Sequence, residues 1–365
     1  MSIPAEIDTP EIVIDRDILD RNIERMAAAV AGNGLLLRPH AKTHKIPEIA
    51  ARQIAAGAVG LTVATIGEAE VFAAAGVGNL FIAYPLWLSP QKAERLQKLA
   101  QGARVSVGVD SADGATRLGT ALGSAAGNVS VLVEIDSGHH RSGALPTAAA
   151  EVAQAASDAG LNVAGVFTFP GHSYAPGMPL AAAAQEQDAL AAASAALAAA
   201  GFEATVRSGG STPTALLTES SVATEVRPGV YVFGDAQQYE LERCALADIA
   251  LTVAATVVSH HTTAPDGSQR FIVDAGSKML GSDKPAWATG FGRLMDHLDA
   301  RVTALSEHHA TIEWHGPGDM PAIGERLRVI PNHVCLAINL VDEVAVVSDG
   351  QLVDRWRVAA RGLNK

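Results

Sequence analysis

Aromatic side chains are scarce in this chain, at 4% of 365 residues, and cysteine occurs only as Cys244 and Cys335. Two cysteines so far apart in sequence argue against a disulfide framework. Positive charge is also in deficit. The net charge is −12, which argues against a nucleic-acid surface, since neutralising phosphates requires clustered Lys and Arg. No apolar run is long enough to cross a bilayer without meeting charge or glycine, so no membrane partner is expected. Met1-Ser2-Ile3-Pro4-Ala5-Glu6 lacks the basic and apolar regions of a secretory signal, which makes cytoplasmic the expected localisation.

Apolar residues make up 48% of the chain and charged residues 18%, the balance of a folded enzyme with a sizeable core. Abundant alanine and glycine suit close packing of helices on strands. Short apolar runs alternate with helical patterns such as Ile46–Ala56, Pro90–Ala100 and Leu180–Ala200. The runs are Leu35–Leu37, Leu61–Ala64, Leu80–Ala83, Val105–Val109, Val131–Ile135, Val163–Phe167, Ala204–Val206 and Val222–Val226. Near-continuous apolar strands separated by helices predict a parallel sheet covered on its outer face. Eight such units predict an α/β fold, a closed (β/α)8 TIM barrel. A doubly wound sheet is the alternative, weakened because no dinucleotide or phosphate-loop fingerprint follows an early strand.

After about Asp235 the pattern changes. Ile249–Val258, Phe271–Val273, Arg301–Ala304, Thr311–Trp314, Leu327–Ile330, Val344–Val347 and Leu352–Val358 read as strands. Turns such as Pro265-Asp266-Gly267 and Asp349-Gly350 join them. The expected organisation is a barrel over residues 10–240 and a C-terminal all-β domain over 241–365, joined by residues 1–9 or a short strand at Ile12–Ile14.

Barrel enzymes place their chemistry in loops at the C-terminal ends of the strands. Polar residues gather there in Arg38–Lys45, Asp136–Gly143, Pro170–Tyr174, Ser208–Thr212 and Pro228–Tyr231. The two glycines of Ser208-Gly209-Gly210-Ser211-Thr212 allow close backbone approach to a phosphate, although the same residues also make an ordinary tight turn. Lys42, flanked by His40 and His44, suits an amine nucleophile kept deprotonated by neighbouring positive charge. A solvated loop lysine is the plain alternative, and Lys45 competes for the role. In Pro331-Asn332-His333-Val334-Cys335, a strand would turn His333 and Cys335 to one face, where imidazole and thiolate suit zinc. A core cysteine beside an incidental histidine is the other reading. The pairs His139-His140, His260-His261 and His308-His309 make poor chelators and read as mostly solvent-facing; Cys244 reads as a buried small hydrophobe.

Arg38-Pro39-His40-Ala41-Lys42-Thr43-His44-Lys45 resembles the cofactor-lysine motif of the D-threonine aldolase and D-serine dehydratase family. The resemblance runs in order through Asp8-Thr9-Pro10, Val133–Arg141, Gly171-His172-Ser173-Tyr174, Arg227–Phe233, Val273–Lys278 and Pro331–Cys335. It implies a barrel of alanine-racemase N-terminal type, a C-terminal β domain and a homodimer. It implies pyridoxal 5'-phosphate bound to Lys42 as a Schiff base, with its phosphate on Gly209, Gly210, Ser211 and Thr212. Arg141, Tyr174 and Tyr231 match positions near the cofactor, and the family's metal pair falls on His333 and Cys335.

One departure matters. Aldolases of the family resemble His-x-Asp at the metal site, with manganese or magnesium, whereas His-x-Cys is similar to the zinc-dependent D-serine dehydratases. The expectation is therefore a lyase that dehydrates D-serine or D-threonine to a 2-oxo acid and ammonia, with Lys42 as the α-proton base. The alternative is an aldolase in which His172 takes the β-hydroxyl proton, giving glycine and an aldehyde. An amino-acid racemase ranks third, since the tyrosine motif of alanine racemases has no match.

Overall fold

The computed structural model describes residues 3–261, 269–315 and 318–365. The chain divides into two compact units, one comprising Met1–Ile23, Thr43–Ile46 and Val230–Arg361, the other Glu24–Lys42, Pro47–Gly229 and Gly362–Lys365. The division falls at Val230, ahead of the expected boundary between 240 and 241.

In the second of these units, eight parallel strands form one curled sheet. They are Leu36–Leu37, Leu61–Val63, Asn79–Pro85, Arg104–Val109, Val129–Ile135, Asn162–Thr168, Val206–Gly209 and Glu225–Val226. Each pairs with the next in the chain, except that Leu36–Leu37 pairs with Glu225–Val226. A parallel bridge between His40 and Thr62 links the first strand to the second and closes the ring. The seventh strand lies further along the chain than its predicted position and runs directly into the glycine loop. The crossover from the seventh to the eighth strand carries only the 3-10 turn Ala215–Leu217 in place of a helix, a departure from a regular (β/α)8 repeat.

Helix Pro179–Ala199 shows why alanine is so abundant. Proline sits at its first turn, where no amide donor is needed, and Ala182, Ala183, Glu186, Ala189, Leu190, Ala193 and Leu197 are buried along one stripe. Small side chains bring this helix close to the strands. Inside the ring, Phe81 and Phe167 meet edge to face with centroids 5.0 Å apart, packed with Leu132.

The other unit is built on a nine-stranded sheet. The strand Glu11–Asp15 lies at its heart, antiparallel to Leu251–His261 and parallel to Glu343–Ser348. The N-terminal segment is thus integral to this sheet. Gly292–Leu294 is an additional strand, too short to show a period-2 pattern in the sequence. The predicted Asp349-Gly350 turn joins Glu343–Ser348 to Gln351–Arg357, with φ positive at both residues. The predicted Pro265-Asp266-Gly267 turn lies outside the described residues. Among the described residues, no helix is long and apolar enough to cross a membrane.

Candidate active site

The barrel strands end at one rim, and the loops there are held by their own polar groups. Asp136 Oδ1 accepts the amides of Gly138 (2.9 Å) and His140 (3.0 Å), while its Oδ2 pairs with His140 Nδ1 at 2.7 Å. Thr168 Oγ1 at the end of the sixth strand donates to Ile135 O at 2.6 Å and lies 2.8 Å from Ser137 Oγ. Such short side-chain-to-backbone bonds fix loop geometry without secondary structure.

Phe169, one residue beyond the sixth strand, gathers the candidate cofactor residues. Lys42 Nζ lies 5.8 Å from the ring centroid and the Arg141 guanidinium 5.1 Å from it. The His139 ring meets Phe169 edge-on at 5.5 Å, and Tyr174 lies at 6.2 Å. Two cations and two further rings gathered around one aromatic side chain suit a flat, anionic, aromatic ligand. Lys42 is half-buried in the 3-10 turn Ala41–Thr43. Its competitor Lys45 belongs to the other unit and donates to Asn339 Oδ1 at 2.8 Å. That bond gives the Lys45 amine a partner of its own.

Two residues of this rim escaped sequence reasoning. Phe169 carried no signal, because an isolated phenylalanine after a strand reads as core. His139 read as solvent-facing, yet it is half-buried, and a methyl group at Gly171 would lie 2.5 Å from its ring. Burial, then the charge of Arg141, lowers the His139 pKa. His172 Nε2 is 2.8 Å from Gln185 Oε1, and its Nδ1 is buried with no hydrogen-bond partner among the described residues.

The glycine loop follows the seventh strand. Gly210 has φ +74°, a left-handed conformation that favours glycine. Ser211 is buried, its Oγ 3.0 Å from Ser173 Oγ and its amide donating to Thr214 Oγ1 at 2.9 Å. Thr212 Oγ1 is buried without a partner among the described residues. An orphaned hydroxyl beside two glycines fits the donor set that a phosphate group requires. Beneath the loop, Arg227 is buried between Phe81 and Phe167, at 5.6 and 5.3 Å. Burial brings its pKa down to about 10, against the opposing charges of Glu225, Glu186 and Glu134.

In the β-rich unit, His333 and Cys335 do not lie on a strand. The strand Arg326–Pro331 ends before them, His333 precedes the short helix Val334–Ile338, and Cys335 is in its first turn. The alternation argument therefore fails, and the two side chains meet through a helix start instead. His333 Nδ1 is 2.5 Å from Asp283 Oδ2, which leaves Nε2 as the nitrogen that could meet a metal ion. Cys335 Sγ is 3.4 Å from Thr43 Oγ1. Burial opposes protonation of His333, but Cys335 and Asp283 outweigh it and raise the pKa well above the usual value. Asp235 accepts the amides of Gln238 and Val334 at 2.8 and 3.3 Å, and burial pushes its pKa up to about 6. An imidazole held by a carboxylate, beside a thiol, fits a thiophilic divalent ion with open positions. Among the described residues, no group of three or more His, Cys, Asp or Glu side chains stands ready to hold a metal by itself. Tyr231 is buried in the 3-10 turn Val230–Val232 of this same unit, and Cys244 is half-buried against Ala236, Ile249 and Ile330.

Residues 14–237 match the family model described as "Alanine racemase, N-terminal domain", and residues 250–347 match that of "Putative serine dehydratase domain". The chain is 38% identical to a D-threo-3-hydroxyaspartate dehydratase of Delftia sp. (strain HT23), covering 90% of this chain and 91% of that protein. It is 34% identical to a D-threonine aldolase of Arthrobacter sp, covering 99% and 94%. Among solved structures, D-threonine aldolase from Filomicrobium marinum superposes with a TM-score of 0.86 at 33% identity, covering 100% of this chain and 98% of that one. A cysteine-to-alanine mutant of D-threo-3-hydroxyaspartate dehydratase, in the metal-free form, gives 0.87 at 33% identity, covering 98% and 99%.

Proposed function

The chain belongs to the family of the alanine racemase N-terminal domain, and on that premise we propose that it is a pyridoxal-phosphate- and divalent-metal-dependent lyase acting on 3-hydroxy-D-amino acids. The reaction we assign is dehydration and deamination of D-threonine or D-serine to a 2-oxo acid and ammonia. The observation that carries this reading is the gathering of Lys42 and Arg141 on Phe169, together with the orphaned Thr212 hydroxyl in the glycine loop. Relatives named as a dehydratase and aldolases of 3-hydroxy-D-amino acids support it.

Lys42 would hold the cofactor covalently, Gly209 to Thr212 its phosphate, and Arg141, Tyr174 and Tyr231 its remaining polar edge. When bound, the cofactor supplies an electron sink for charge developing at Cα. Lys42 is the base that moves the α-proton. His333 and Cys335 would hold the metal, whose chemistry is that of a Lewis acid for the β-hydroxyl. The thiol favours zinc over manganese or magnesium, and with it dehydration. A second reading, aldol cleavage, is favoured by the half-buried His172, whose unpartnered Nδ1 suits it as base for the β-hydroxyl proton. We place the enzyme in the cytoplasm and, as the family resemblance implies, as a homodimer.

The test is product analysis after incubation with D-threonine, with L-threonine as control. 2-Oxobutyrate with ammonia supports the dehydratase; glycine with acetaldehyde makes the enzyme an aldolase.

A further inference from the structure

The carboxylate of Glu186 has no part in the chemistry above, yet it lies directly under the glycine loop. It comes from the middle of the helix Pro179–Ala199 and is completely buried. Glu186 Oε1 accepts the amide of Gly210 in a short hydrogen bond, and Oε2 lies 3.4 Å from Thr214 Oγ1. Thr214 Oγ1 in turn accepts the Ser211 amide at 2.9 Å and is 3.1 Å from Ser211 Oγ, which reaches Ser173 Oγ at 3.0 Å. One acid therefore anchors two successive loop amides, one directly and one through threonine. The contact also accounts for the glycine at 209. A methyl group there would sit 2.0 Å from Glu186 Oε1, so the acid can hold this position only beside a glycine.

We infer that Glu186 is the positioning residue of the phosphate loop, holding Gly210 and Ser211 from behind so that the hydroxyl of Thr212 stands ready for a phosphomonoester. This rests on the cofactor reading above. A buried acid at this depth carries a large desolvation cost, and burial pushes its pKa up to about 7 despite the Gly210 amide and Arg227. A residue kept for core packing alone would be apolar. The arrangement suits an acceptor that fixes backbone donors without presenting a full negative charge to the bound anion.

The test compares the affinity of the full-length protein for pyridoxal 5'-phosphate with that for pyridoxal, which lacks the phosphate. In Glu186→Ala the phosphorylated ligand should bind about ten-fold more weakly or worse, as expected when a buried loop amide loses its acceptor, with pyridoxal nearly unchanged. Glu186→Gln keeps an acceptor for Gly210 and should retain the wild-type ratio. The phosphorus resonance of the bound cofactor should move in the alanine variant and stay in the glutamine one. Should Glu186→Ala fail to fold, Thr214→Val breaks the same chain at its next link and should show the same selective loss. Equal weakening toward both ligands, or none, would overturn the inference while leaving the cofactor reading intact. Failure of the wild-type protein to bind pyridoxal 5'-phosphate would overturn both.

Discussion

The barrel rim and the His333–Cys335 turn are built on opposite plans. At the rim, the residues on Phe169 come from the loops after the first, fifth and sixth strands, and the glycine loop is braced by the helix that precedes the seventh strand. At the turn, both candidate ligands lie within three residues, and one remote carboxylate, Asp283, orients the imidazole. A site assembled from many elements inherits the rigidity of the scaffold and tolerates loss of a single contact. A site on one short helix start depends on very few groups. The difference predicts that damage at the turn is sharp and confined to metal chemistry, whereas damage at the rim is graded, Lys42 excepted.

The largest effect expected is at that exception. Lys42→Ala should abolish the borohydride-trappable cofactor adduct and turnover, while Lys45→Ala retains the adduct; mass spectrometry of the reduced protein distinguishes them. Retained trapping in Lys42→Ala would sink the assignment of the nucleophile.

At the turn, Cys335→Ala should remove metal-dependent turnover but leave cofactor trapping intact, which separates the two regions chemically. Asp283→Asn should weaken metal affinity by about 10–100-fold, the usual loss when an outer-shell carboxylate no longer orients a ligating imidazole. Zinc titration of chelated protein reads both. Turnover unaffected by exhaustive chelation and by Cys335→Ala would remove the metal from the reaction.

A third prediction concerns pH. Glu186 has a native pKa of about 7 against an ordinary value of 4.5. The folded state therefore holds the proton more tightly than the unfolded one. Its contribution is fully present below pH 4.5 and lost as pH rises through about 7, a swing on the order of 3 kcal/mol. Glu186→Gln should flatten that part of the stability profile between pH 4.5 and 8 in urea unfolding. A wild-type slope unchanged in the variant would assign it to another group.

The smallest effect is expected at the shared ring. Phe169→Leu keeps the bulk but removes the aromatic face, and each cation there should lose about 0.5–1 kcal/mol. A several-fold weaker affinity for cofactor with unchanged folding would support the graded plan; complete loss would show that the rim, too, hangs on one residue.

Much of the fold was legible beforehand. All eight barrel strands were locatable from apolar runs, and the ordered motifs nominated Lys42, the glycine loop and the His333–Cys335 pair as the candidates that the variants above test. The failures share a cause. Gly292–Leu294 is too short for a period, and the His333-x-Cys335 strand assignment extended a pattern past the residue where the strand Arg326–Pro331 ends. His139 was judged by its neighbour in sequence rather than by the ring it packs against.

By itself, the sequence determined the alternation of strand and helix and the change to a β-rich region near Asp235, and it nominated the loops proposed for the chemistry. These depend on hydrophobic period and residue type, which act over a few neighbouring positions. Only the tertiary structure decided that Phe169 is the common wall, that Glu186 underlies Gly210, and that the N-terminal strand expected in the β region takes Leu251–His261 and Glu343–Ser348 as its neighbours. Each of those is a contact between segments far apart in the chain, and no local pattern encodes which buried acid or strand will meet which partner.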